Sequence, residues 1–238
     1  MDLTGKVALI TGGSKGIGFG IAEALVTAGM NVCITARHKD ELEKATARLN
    51  RQGNGKALGI PTDVRSFEAQ KRAVADTIST FSQLDVLIAN AGVGHFGSVE
   101  TLSLEAWQEV LETNLTGVFL SVKAAVEELK KTRGYIITIG SLAGTNFFAG
   151  GSAYNASKFG LTGFSQAMML DLRPYGIRVT TIMPGSVATS FSGTNPTETE
   201  RWKIQPEDLG EMVLYLLRSP AGTLASKVEV RPSQPPSR

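Results

Sequence analysis

The chain is organised as short apolar runs that alternate with longer segments of helical periodicity. Most of the runs are continuously apolar and rich in Val and Ile, which is typical of strands covered on both faces of a parallel sheet. The runs are Val7–Ile10, Asn31–Thr35, Ala57–Ile60, Asp85–Ala89, Tyr135–Ile139, Ile177–Met183 and Lys227–Val230. The helical segments are Gly16–Ala28, Asp40–Arg51, Phe67–Phe81, Leu104–Lys131, Tyr154–Arg173 and Pro206–Leu217. This alternation predicts an α/β fold, a doubly wound parallel sheet of about seven strands with helices on both faces.

Right-handed crossover connections restrict the topology further and favour a Rossmann-type strand order. We expect a single domain over residues 1–230, because no internal repeat or change of composition marks a boundary there. Residues 189–205 are rich in Ser, Thr, Asn and charge, and we expect them to form a flap over the substrate. The tail at 231–238 is proline-rich and is expected to be extended or disordered.

The composition narrows the functional class. The chain has 24 Lys and Arg against 22 Asp and Glu, and a net charge of +2 is too small for an electrostatic nucleic-acid binder. The lone cysteine, Cys33, cannot form an intramolecular disulfide, which favours a reducing compartment. The chain contains only two histidines in addition to this cysteine, which is too few of the usual ligands for a zinc site, and we expect no metal. No signal-like segment and no apolar run of roughly 20 residues occurs, so we expect a cytoplasmic protein that does not act at a membrane.

A glycine-rich turn follows the first strand and opens the first helix. Its sequence, Thr11-Gly12-Gly13-Ser14-Lys15-Gly16-Ile17-Gly18, has the spacing G-x-x-x-G-x-G. Glycines permit a tight turn, and the free N–H groups and dipole of a helix N-terminus favour a pyrophosphate. The turn therefore predicts a dinucleotide site, although glycine also collects in ordinary turns. The contacts predicted here are Gly12, Ser14, Lys15, Gly16, Ile17 and Gly18.

The end of the second strand bears on the choice of nucleotide. NAD-dependent enzymes usually place an acidic residue there to bind the ribose hydroxyls, whereas this strand ends in Thr35-Ala36-Arg37. Arg37 can bind a 2′-phosphate in a bidentate manner, and Lys15 lies in the neighbouring glycine turn. These residues predict NADP(H) as the cofactor. The alternative is that residues 37–39 only form the solvated start of a helix.

A Tyr-x-x-x-Lys pair begins the fifth helical segment. Tyr154 and Lys158 are four residues apart, which places them on one helix face. A nearby ammonium and the charge of NADP⁺ favour tyrosinate, and a phenol pKa lowered from about 10 to near 7 corresponds to roughly 4 kcal/mol. Such a tyrosine can donate a proton to a carbonyl oxygen as hydride reaches its carbon. On its own, the pair is more often a surface contact.

Further polar residues follow the ends of other strands. Ser141 follows the fifth strand, Asn90-Ala91-Gly92 ends the fourth, and residues 184–189 follow the sixth. Asn114 lies inside the predicted helix 104–131. Because ligands of open α/β sheets bind outside the carboxyl ends of the strands, these groups are expected to converge on one crevice.

In this combination the chain resembles the short-chain dehydrogenase/reductase family in its compact, single-domain branch, and within it the 3-oxoacyl-[acyl-carrier-protein] reductases. The resemblance runs from about Leu3 to Val230. The residues that carry it, in the family's order, are the glycine turn, Asp63-Val64, Asn90-Ala91-Gly92, Asn114, Ser141, Tyr154, Lys158 and Pro184-Gly185.

The resemblance implies a role for each matching residue. Tyr154 is the expected general acid/base, and Ser141 is expected to hydrogen-bond the substrate oxygen. Lys158 is expected to lower the tyrosine pKa and hold the nicotinamide ribose, and Asn114 to support a water-linked proton relay. The other implied cofactor contacts are Asp63 and Val64 at adenine, Asn90 and Gly92 at the adjacent cofactor backbone, and Pro184, Gly185, Val187 and Thr189 near the nicotinamide. Asp63 could instead be an ordinary cap before the helix near Ser66.

The expected activity is the NADPH-dependent interconversion of a carbonyl and an alcohol. By family frequency alone, a 3-oxoacyl thioester is the first expected substrate. A carrier protein could be attracted by Lys130, Lys131 and Arg133, which equally fit a helix C-terminus. The alternatives are a small 3-hydroxy acid, a sugar or another keto compound, and, in a different class, a non-catalytic NADPH-binding sensor. A serine hydrolase is disfavoured because the chain has no G-x-S-x-G elbow.

Two further features bear on assembly and on the substrate pocket. The residues Ala156, Gly160, Gly163 and Ala167 form a small-residue stripe on the Tyr154 helix. Each mid-helix glycine costs roughly 1 kcal/mol against alanine, so close packing is expected to compensate. Packing in a homodimer or homotetramer is favoured over packing on the chain's own sheet. The aromatic residues Phe96, Phe147 and Phe148 follow strand ends, where they either line a substrate pocket or belong to the core.

Overall fold

The structure is a computed structural model and describes residues 2–193, 197–220 and 222–234. The strands are β1 (Val7–Thr11), β2 (Asn31–Ala36), β3 (Ala57–Pro61), β4 (Val86–Ala89), β5 (Tyr135–Ile139), β6 (Arg178–Pro184) and β7 (Lys227–Val230). The α-helices are α1 (Gly16–Thr27), α2 (Lys39–Gln52), α3 (Phe67–Phe81), α4 (Leu104–Leu111), α5 (Gly117–Thr132), α6 (Ser152–Leu172) and α7 (Pro206–Arg218). None of the helices in these three ranges is long and apolar enough to cross a membrane.

The described strands form one parallel sheet of seven in the order β3-β2-β1-β4-β5-β6-β7. From β1 the chain builds outward to β3, and it then returns to the other side of β1 with β4. The direction of winding therefore reverses between β1 and β4, which opens a crevice at the carboxyl ends of these strands. The predicted Rossmann-type, doubly wound α/β fold is confirmed.

Helices cover both faces of the sheet, and this explains the apolar strand sequences. β1, β4 and β5 are buried along their whole lengths, whereas the edge strand β7 alternates between exposed and half-buried residues. In β1, Ala8 and Ile10 belong to the core shared with α1, α2 and α7, and Leu9 belongs to the core shared with α3, α5 and α6. Both faces thus need apolar side chains, which removes the period-two pattern of a half-exposed strand.

Glycine allows α1 and α7 to pack closely on one face of the sheet. A Cβ on Gly20 would lie 2.6 Å from the carbonyl oxygen of Pro206, and one on Gly210 would lie 2.7 Å from the Cβ of Ala24. The helix that follows the glycine turn is thereby fixed against the helix that follows residues 189–205.

The predicted helix 104–131 is interrupted in the structure. Between α4 and α5, the residues Glu112–Thr116 form a π-helical turn, an irregularity often found at functional sites. Asn114 lies within this turn and is fully buried. The apolar periodicity of the segment carries no signal for the change, because Asn114 bonds to groups that are distant in sequence.

Candidate active site

A cleft of about 1400 Å³ opens at the carboxyl ends of the strands, across the crevice between β1 and β4. Most of the site residues predicted from sequence line it, and Gly18 and Asn114 lie behind its wall. The predicted residues along the cleft are Gly12, Ser14, Lys15, Gly16, Ile17, Arg37, Asp63, Val64, Asn90, Gly92, Ser141, Tyr154, Lys158, Pro184, Gly185, Val187 and Thr189. The fold therefore brings the nucleotide and catalytic candidates to one site.

The glycine turn has a backbone shape that other residues would disturb. Gly12 and Gly16 have φ values of +67° and +56°, a region that favours glycine. A Cβ on Gly12 would lie 2.9 Å from the Cα of Ala91, and one on Gly18 would collide with the carbonyl oxygen of Gly12. Gly18 thus contributes to the shape of the turn, and its direct contact with the cofactor stays a prediction.

The N-terminus of α1 is open to the cleft. Lys15 is the N-cap residue and provides no side-chain acceptor, and the first turn of α1 contains no acidic residue. Gly16 and Ile17 line the cleft directly after it. Because the unpaired N–H groups and the dipole of a helix N-terminus favour an anion, this part of the cleft fits a pyrophosphate.

Asn90 ties the end of β4 to the glycine turn. Its Nδ2 donates hydrogen bonds to the carbonyl oxygens of Thr11 at 2.9 Å and Gly12 at 3.1 Å. The backbone N–H groups of Asn90 and Ala91 donate to the hydroxyl of Thr11 at 3.0 and 3.1 Å. The two strand ends that border the crevice are therefore held together by buried and half-buried polar groups.

The cations expected at the 2′-phosphate lie at the cleft and have surface partners. Arg37 directly follows β2, and its Nη1 lies 3.5 Å from Oε1 of Glu109. Lys15 pairs with Glu41 at 3.3 Å. Exposed pairs of this length contribute little energy and are readily exchanged for another anion. No carboxylate occupies position 36, where β2 ends in alanine.

Asp63 lies at the cleft and is not the cap of α3. Ser66 caps that helix by accepting a hydrogen bond from the N–H of Ala69 at 3.3 Å. Arg65 binds the Asp63 carboxylate through Nε and Nη2 at 2.7 to 3.1 Å, and this hydrogen bonding lowers the pKa of Asp63. The capping alternative is therefore wrong for Asp63, which lines the cleft beside Val64 with its carboxylate paired to Arg65.

Three catalytic candidates meet where β5 ends and α6 begins. The Nζ of Lys158 donates a hydrogen bond to the carbonyl oxygen of Ile139 at 2.9 Å and lies 5.7 Å from the centroid of the Tyr154 ring. The Oγ of Ser141 accepts a hydrogen bond from the N–H of Ala143 at 3.1 Å. The side chains of Ser141 and Tyr154 both line this part of the cleft.

The pKa values at this cluster show what the polypeptide does by itself. Burial raises the pKa of Tyr154, and the nearby Ser141 side chain opposes this effect only in part. Burial lowers the pKa of Lys158 to about 8. The chain alone thus keeps Tyr154 protonated, as a proton donor. The lowered tyrosine pKa expected from the sequence stays a prediction for the complex with a charged nucleotide.

Asn114 connects the cleft wall to α6. Its Oδ1 accepts a hydrogen bond from the N–H of Val93 at 2.8 Å, and its Nδ2 donates to the carbonyl oxygen of Val93 at 2.9 Å and to the hydroxyl of Ser157 at 3.1 Å. Both amide protons are thereby used. The side chain acts as a clamp, and a water relay at this position would need the backbone of the π-helical turn.

The residues after β6 lead from the cleft to the predicted flap. The N–H of Gly185 donates to the carbonyl oxygen of Val230 at 2.8 Å, and Val187 forms a parallel bridge with Ile204. This bridge closes the base of the segment 189–203. Thr189 begins a short 3₁₀ turn by accepting a hydrogen bond from the N–H of Phe191 at 3.4 Å. Residues 194–196 of the predicted flap lie outside the described residues.

The tail also reaches the cleft. Its first four residues, 231–234, line the cleft beside Gly185, where the Cδ of Pro232 would lie 3.4 Å from a Cβ on this glycine. The rest of the predicted tail, 235–238, lies outside the described residues.

Aromatic side chains surround Tyr154, including one that the sequence did not indicate. Phe96 and Phe148 are half-exposed and Phe147 is 86% exposed, so these residues belong to the pocket and not to the core. Phe191 was missed because it lies in a polar, loop-like segment.

Asn155, next to Tyr154, was also missed. It is buried, and its Nδ2 donates to the carbonyl oxygens of Ala143 and Asn146 at 2.7 and 2.8 Å, which braces the loop between β5 and α6.

The small-residue stripe of α6 is exposed except at half-buried Gly160, where a Cβ would lie 3.0 Å from Cδ2 of Leu115 in the same chain. Ala156, Gly163 and Ala167 are exposed, and among the described residues no atom lies within 4 Å of a Cβ built on Gly163. Exposed Phe159 and Leu170 continue the same helix surface.

The comparisons with known proteins agree with this geometry. The family model for short chain dehydrogenases matches residues 6–200. Trans-4-hydroxycyclohexanecarboxylate dehydrogenase of Sinomonas cyclohexanicum is 41% identical over 192 residues, 79% of this chain and 74% of that protein. The 3-oxoacyl-[acyl-carrier-protein] reductase FabG of Vibrio cholerae is 37% identical over 193 residues, 81% of this chain and 78% of that protein. A solved alcohol dehydrogenase from Thermococcus sibiricus, complexed with 5-hydroxy-NADP, superposes with a TM-score of 0.91 at 31% identity, covering 98% of this chain and 99% of the other.

A parallel sheet with a nucleotide crevice and a Ser-Tyr-Lys cluster defines an oxidoreductase that uses a nicotinamide dinucleotide. The chain belongs to the short-chain dehydrogenase family.

Proposed function

We propose that the chain is an NADP(H)-dependent enzyme that interconverts a ketone and a secondary alcohol, with Tyr154 as the acid and base. The observation that carries the proposal is the position of the Ser141 and Tyr154 hydroxyls, beside buried Lys158, in the same cleft as the open N-terminus of α1. A binding module has no need of a protonated tyrosine and a buried lysine at the site.

The residues of the chain supply the proton chemistry of the reaction. When bound, the reduced nucleotide supplies the hydride that the carbonyl carbon gains. The Tyr154 hydroxyl donates its proton to the carbonyl oxygen, so that the ketone becomes an alcohol and the tyrosine a tyrosinate. Ser141 holds that oxygen by a hydrogen bond, and Lys158 stabilises the tyrosinate by its charge. Alcohol oxidation uses the same groups in reverse, with tyrosinate as the base.

The preference for NADP(H) is part of the proposal. Arg37 and Lys15 lie at the cleft in weak, exposed ion pairs that a 2′-phosphate can replace. Ala36 offers no carboxylate to repel that phosphate. Solved relatives include complexes with NADP and with NADH. Because the relatives use both nucleotides, the proposed preference for NADP(H) is based on Lys15, Ala36 and Arg37.

Two classes of ketone are candidates for the substrate. A 3-oxoacyl thioester, with or without a carrier protein, is supported by similarity to the reductase of Vibrio cholerae. A smaller hydroxy acid or keto compound is supported by the higher identity to the dehydrogenase of Sinomonas cyclohexanicum. We favour the second candidate, because the residues around Tyr154 are bulky aromatic side chains.

Assembly and location are further parts of the proposal. The exposed stripe of α6, with Phe159 and Leu170 beside it, fits a second copy of the chain in a homodimer. A homotetramer and a cytoplasmic location stay predictions.

Cys33 is buried and unpaired, and burial raises its pKa to about 12, so it is inert as a thiol.

The test is oxidation of NADPH and NADH by the purified protein over a panel of carbonyl compounds. The panel contains an acetoacetyl thioester, a β-keto ester, a diketone and a keto sugar, and Tyr154→Phe is the control. NADPH-linked turnover that disappears in the variant supports the proposal. Nucleotide binding without turnover of any compound would favour the sensor alternative, and absence of nucleotide binding would contradict the assignment of the cleft.

A further inference from the structure

Four aromatic rings form a cluster around the reacting hydroxyl, and we call Phe96, Phe148, Tyr154 and Phe191 the aromatic cluster. The ring centroid of Tyr154 lies 5.5 Å from that of Phe96, at an interplanar angle of 61°, and 5.8 Å from that of Phe191, at 59°. Phe148 extends the cluster, with its centroid 6.1 Å from that of Phe96. These separations lie in the range of attractive edge-to-face contacts.

Glycines allow the rings to meet. A Cβ on Gly94 would lie 2.7 Å from Cε1 of Phe191 and 2.9 Å from Cζ of Phe96, and one on Gly151 would lie 2.6 Å from Cε2 of Phe148. Because Gly94 has no side chain, the rings of Phe96 and Phe191, which lie on different loops, can both pack against its backbone. A larger residue at position 94 would push these rings apart.

Backbone contacts fix two of the loops that carry the rings. Gly97 and Gly151 form a parallel bridge, and the N–H of Gly97 donates to the carbonyl oxygen of Gly150 at 2.8 Å. The N–H of Phe148 donates to Oδ1 of Asn155 at 3.4 Å. Phe96 and Phe148 are thus held on tied loops, whereas Phe191 lies in the segment whose base is closed by the Val187–Ile204 bridge.

We propose that the aromatic cluster selects ketones in which the carbonyl is part of, or attached to, a compact apolar ring. The argument rests on the proposed function, since it takes Tyr154 as the proton donor. A carbonyl oxygen at the Tyr154 and Ser141 hydroxyls places its substituents among Phe96, Phe148 and Phe191. All three phenylalanines are half-exposed in the cleft, so they present apolar surface to a ligand. A ring ligand covers them with little loss of conformational freedom, whereas a linear chain must be ordered to do so.

The test compares ketones of equal carbon number within each enzyme variant. The pairs are cyclohexanone with 2-hexanone and acetophenone with 2-octanone, measured as kcat/KM with saturating NADPH. We expect the ring ketones to be favoured by about tenfold in the natural chain. In Phe96→Leu and Phe191→Leu the ratio is expected to fall to about 3 or less, since each substitution removes one aromatic contact. The ratio within one variant does not depend on the fraction of folded enzyme.

Phe81→Leu is the matched control. Phe81 ends α3, at the edge of the sheet opposite the cleft, and is half-buried there. Its substitution is expected to leave the ratio unchanged. Gly94→Ala is a second probe, expected to alter the ratio while the dissociation constant for NADPH stays the same.

The outcomes separate the inference from the proposed function. Turnover without a ring preference, or a preference that survives in both phenylalanine variants, would overturn the inference and leave the proposed function intact. If no ketone of any kind is turned over, the proposed function fails. Ligand-observed NMR with the same pairs then tests the cluster directly, and equal binding of ring and linear ketones would overturn the inference as well.

Discussion

The cleft has two halves that are built in different ways. The nucleotide half, around the glycine turn and the ends of β1 and β4, is held by backbone geometry and by the side chain of Asn90. The substrate half, around Tyr154, is walled by half-exposed rings on loops after β4, β5 and β6. A Cβ added at Gly18 in the first half would collide with the backbone of Gly12, whereas one added at Gly94 in the second half would contact rings that can rotate.

This difference indicates how the two halves can vary. The nucleotide half depends on main-chain groups whose positions the whole sheet determines, so its shape tolerates few substitutions. The rings of the substrate half can be exchanged without disturbing the sheet, because function on loops is supported by a rigid scaffold. Tyr154 lies at the border, on α6 and yet in contact with the rings.

The largest effect is expected at that border. Tyr154→Phe removes the proposed proton donor but keeps the ring that packs against Phe96 and Phe191, so kcat should fall by about 10⁴-fold. The dissociation constant for NADPH should change by less than about twofold, because the glycine turn is unaffected. Steady-state kinetics and a fluorescence titration with NADPH measure the two quantities. A variant that keeps a tenth of the activity would remove Tyr154 from its role.

The second prediction compares one glycine from each half. Gly18→Ala directs a Cβ into the backbone of Gly12, whereas Gly94→Ala directs one into the rings of Phe96 and Phe191. Backbone cannot yield without moving the glycine turn, so Gly18→Ala should cost about 3 kcal/mol of unfolding free energy and weaken NADPH binding. Gly94→Ala should cost less than about 1 kcal/mol, because ring rotation absorbs the contact. Chemical denaturation measures both, and equal losses would erase the distinction between the halves.

The same difference explains what could be predicted from the sequence. The sheet and the nucleotide half follow from continuous apolar runs and from glycines at fixed spacing, because both patterns encode backbone geometry directly. The common position of Ser141, Tyr154 and Lys158 at the cleft could be predicted because Ser141 follows a strand end and the other two share a helix face. Their catalytic roles came from the family resemblance and stay predictions.

The substrate half left weaker signals. Phe191 lies in a segment rich in Ser and Thr, and no periodicity connects it with Phe96, almost a hundred residues away. The π-helical turn at Glu112–Thr116 and the clamp formed by Asn114 depend on contacts between distant elements, which local patterns do not contain. The partner of Arg37, Glu109, was missed for the same reason.

A third prediction concerns the buried charge at the border. Burial lowers the pKa of Lys158 from 10.5 to about 8, so the folded state releases a proton that the unfolded state keeps between these values. Stability contributed by this group is therefore lost as the pH falls through 8 and is fully present above 10.5, a difference of about 3 kcal/mol. Relative to Lys158→Met, the nucleotide-free protein should gain this free energy of unfolding between pH 7 and 10.5.

The control for this titration is Lys44→Met, since Lys44 is exposed on α2. Its difference from the natural chain gives the baseline for replacing an exposed lysine by methionine over the same range. Denaturation at a series of pH values measures both differences. A flat difference for Lys158→Met would mean that water or a counter-charge solvates this lysine in the nucleotide-free protein.

The smallest effect is expected where the nucleotide half reaches the surface. Arg37→Asp replaces the cation at the end of β2 with the acidic residue that suits ribose hydroxyls. The ratio of kcat/KM for NADPH to that for NADH should fall by about 30-fold, because a charge-assisted pair is lost and repulsion is added. Lys39→Asp makes the same change of charge two residues away, where the lysine pairs with Glu43 outside the cleft. If both variants shift the ratio equally, general surface charge and not Arg37 selects the nucleotide. The outer edge of the nucleotide half would then tolerate substitution as readily as the aromatic residues of the substrate half.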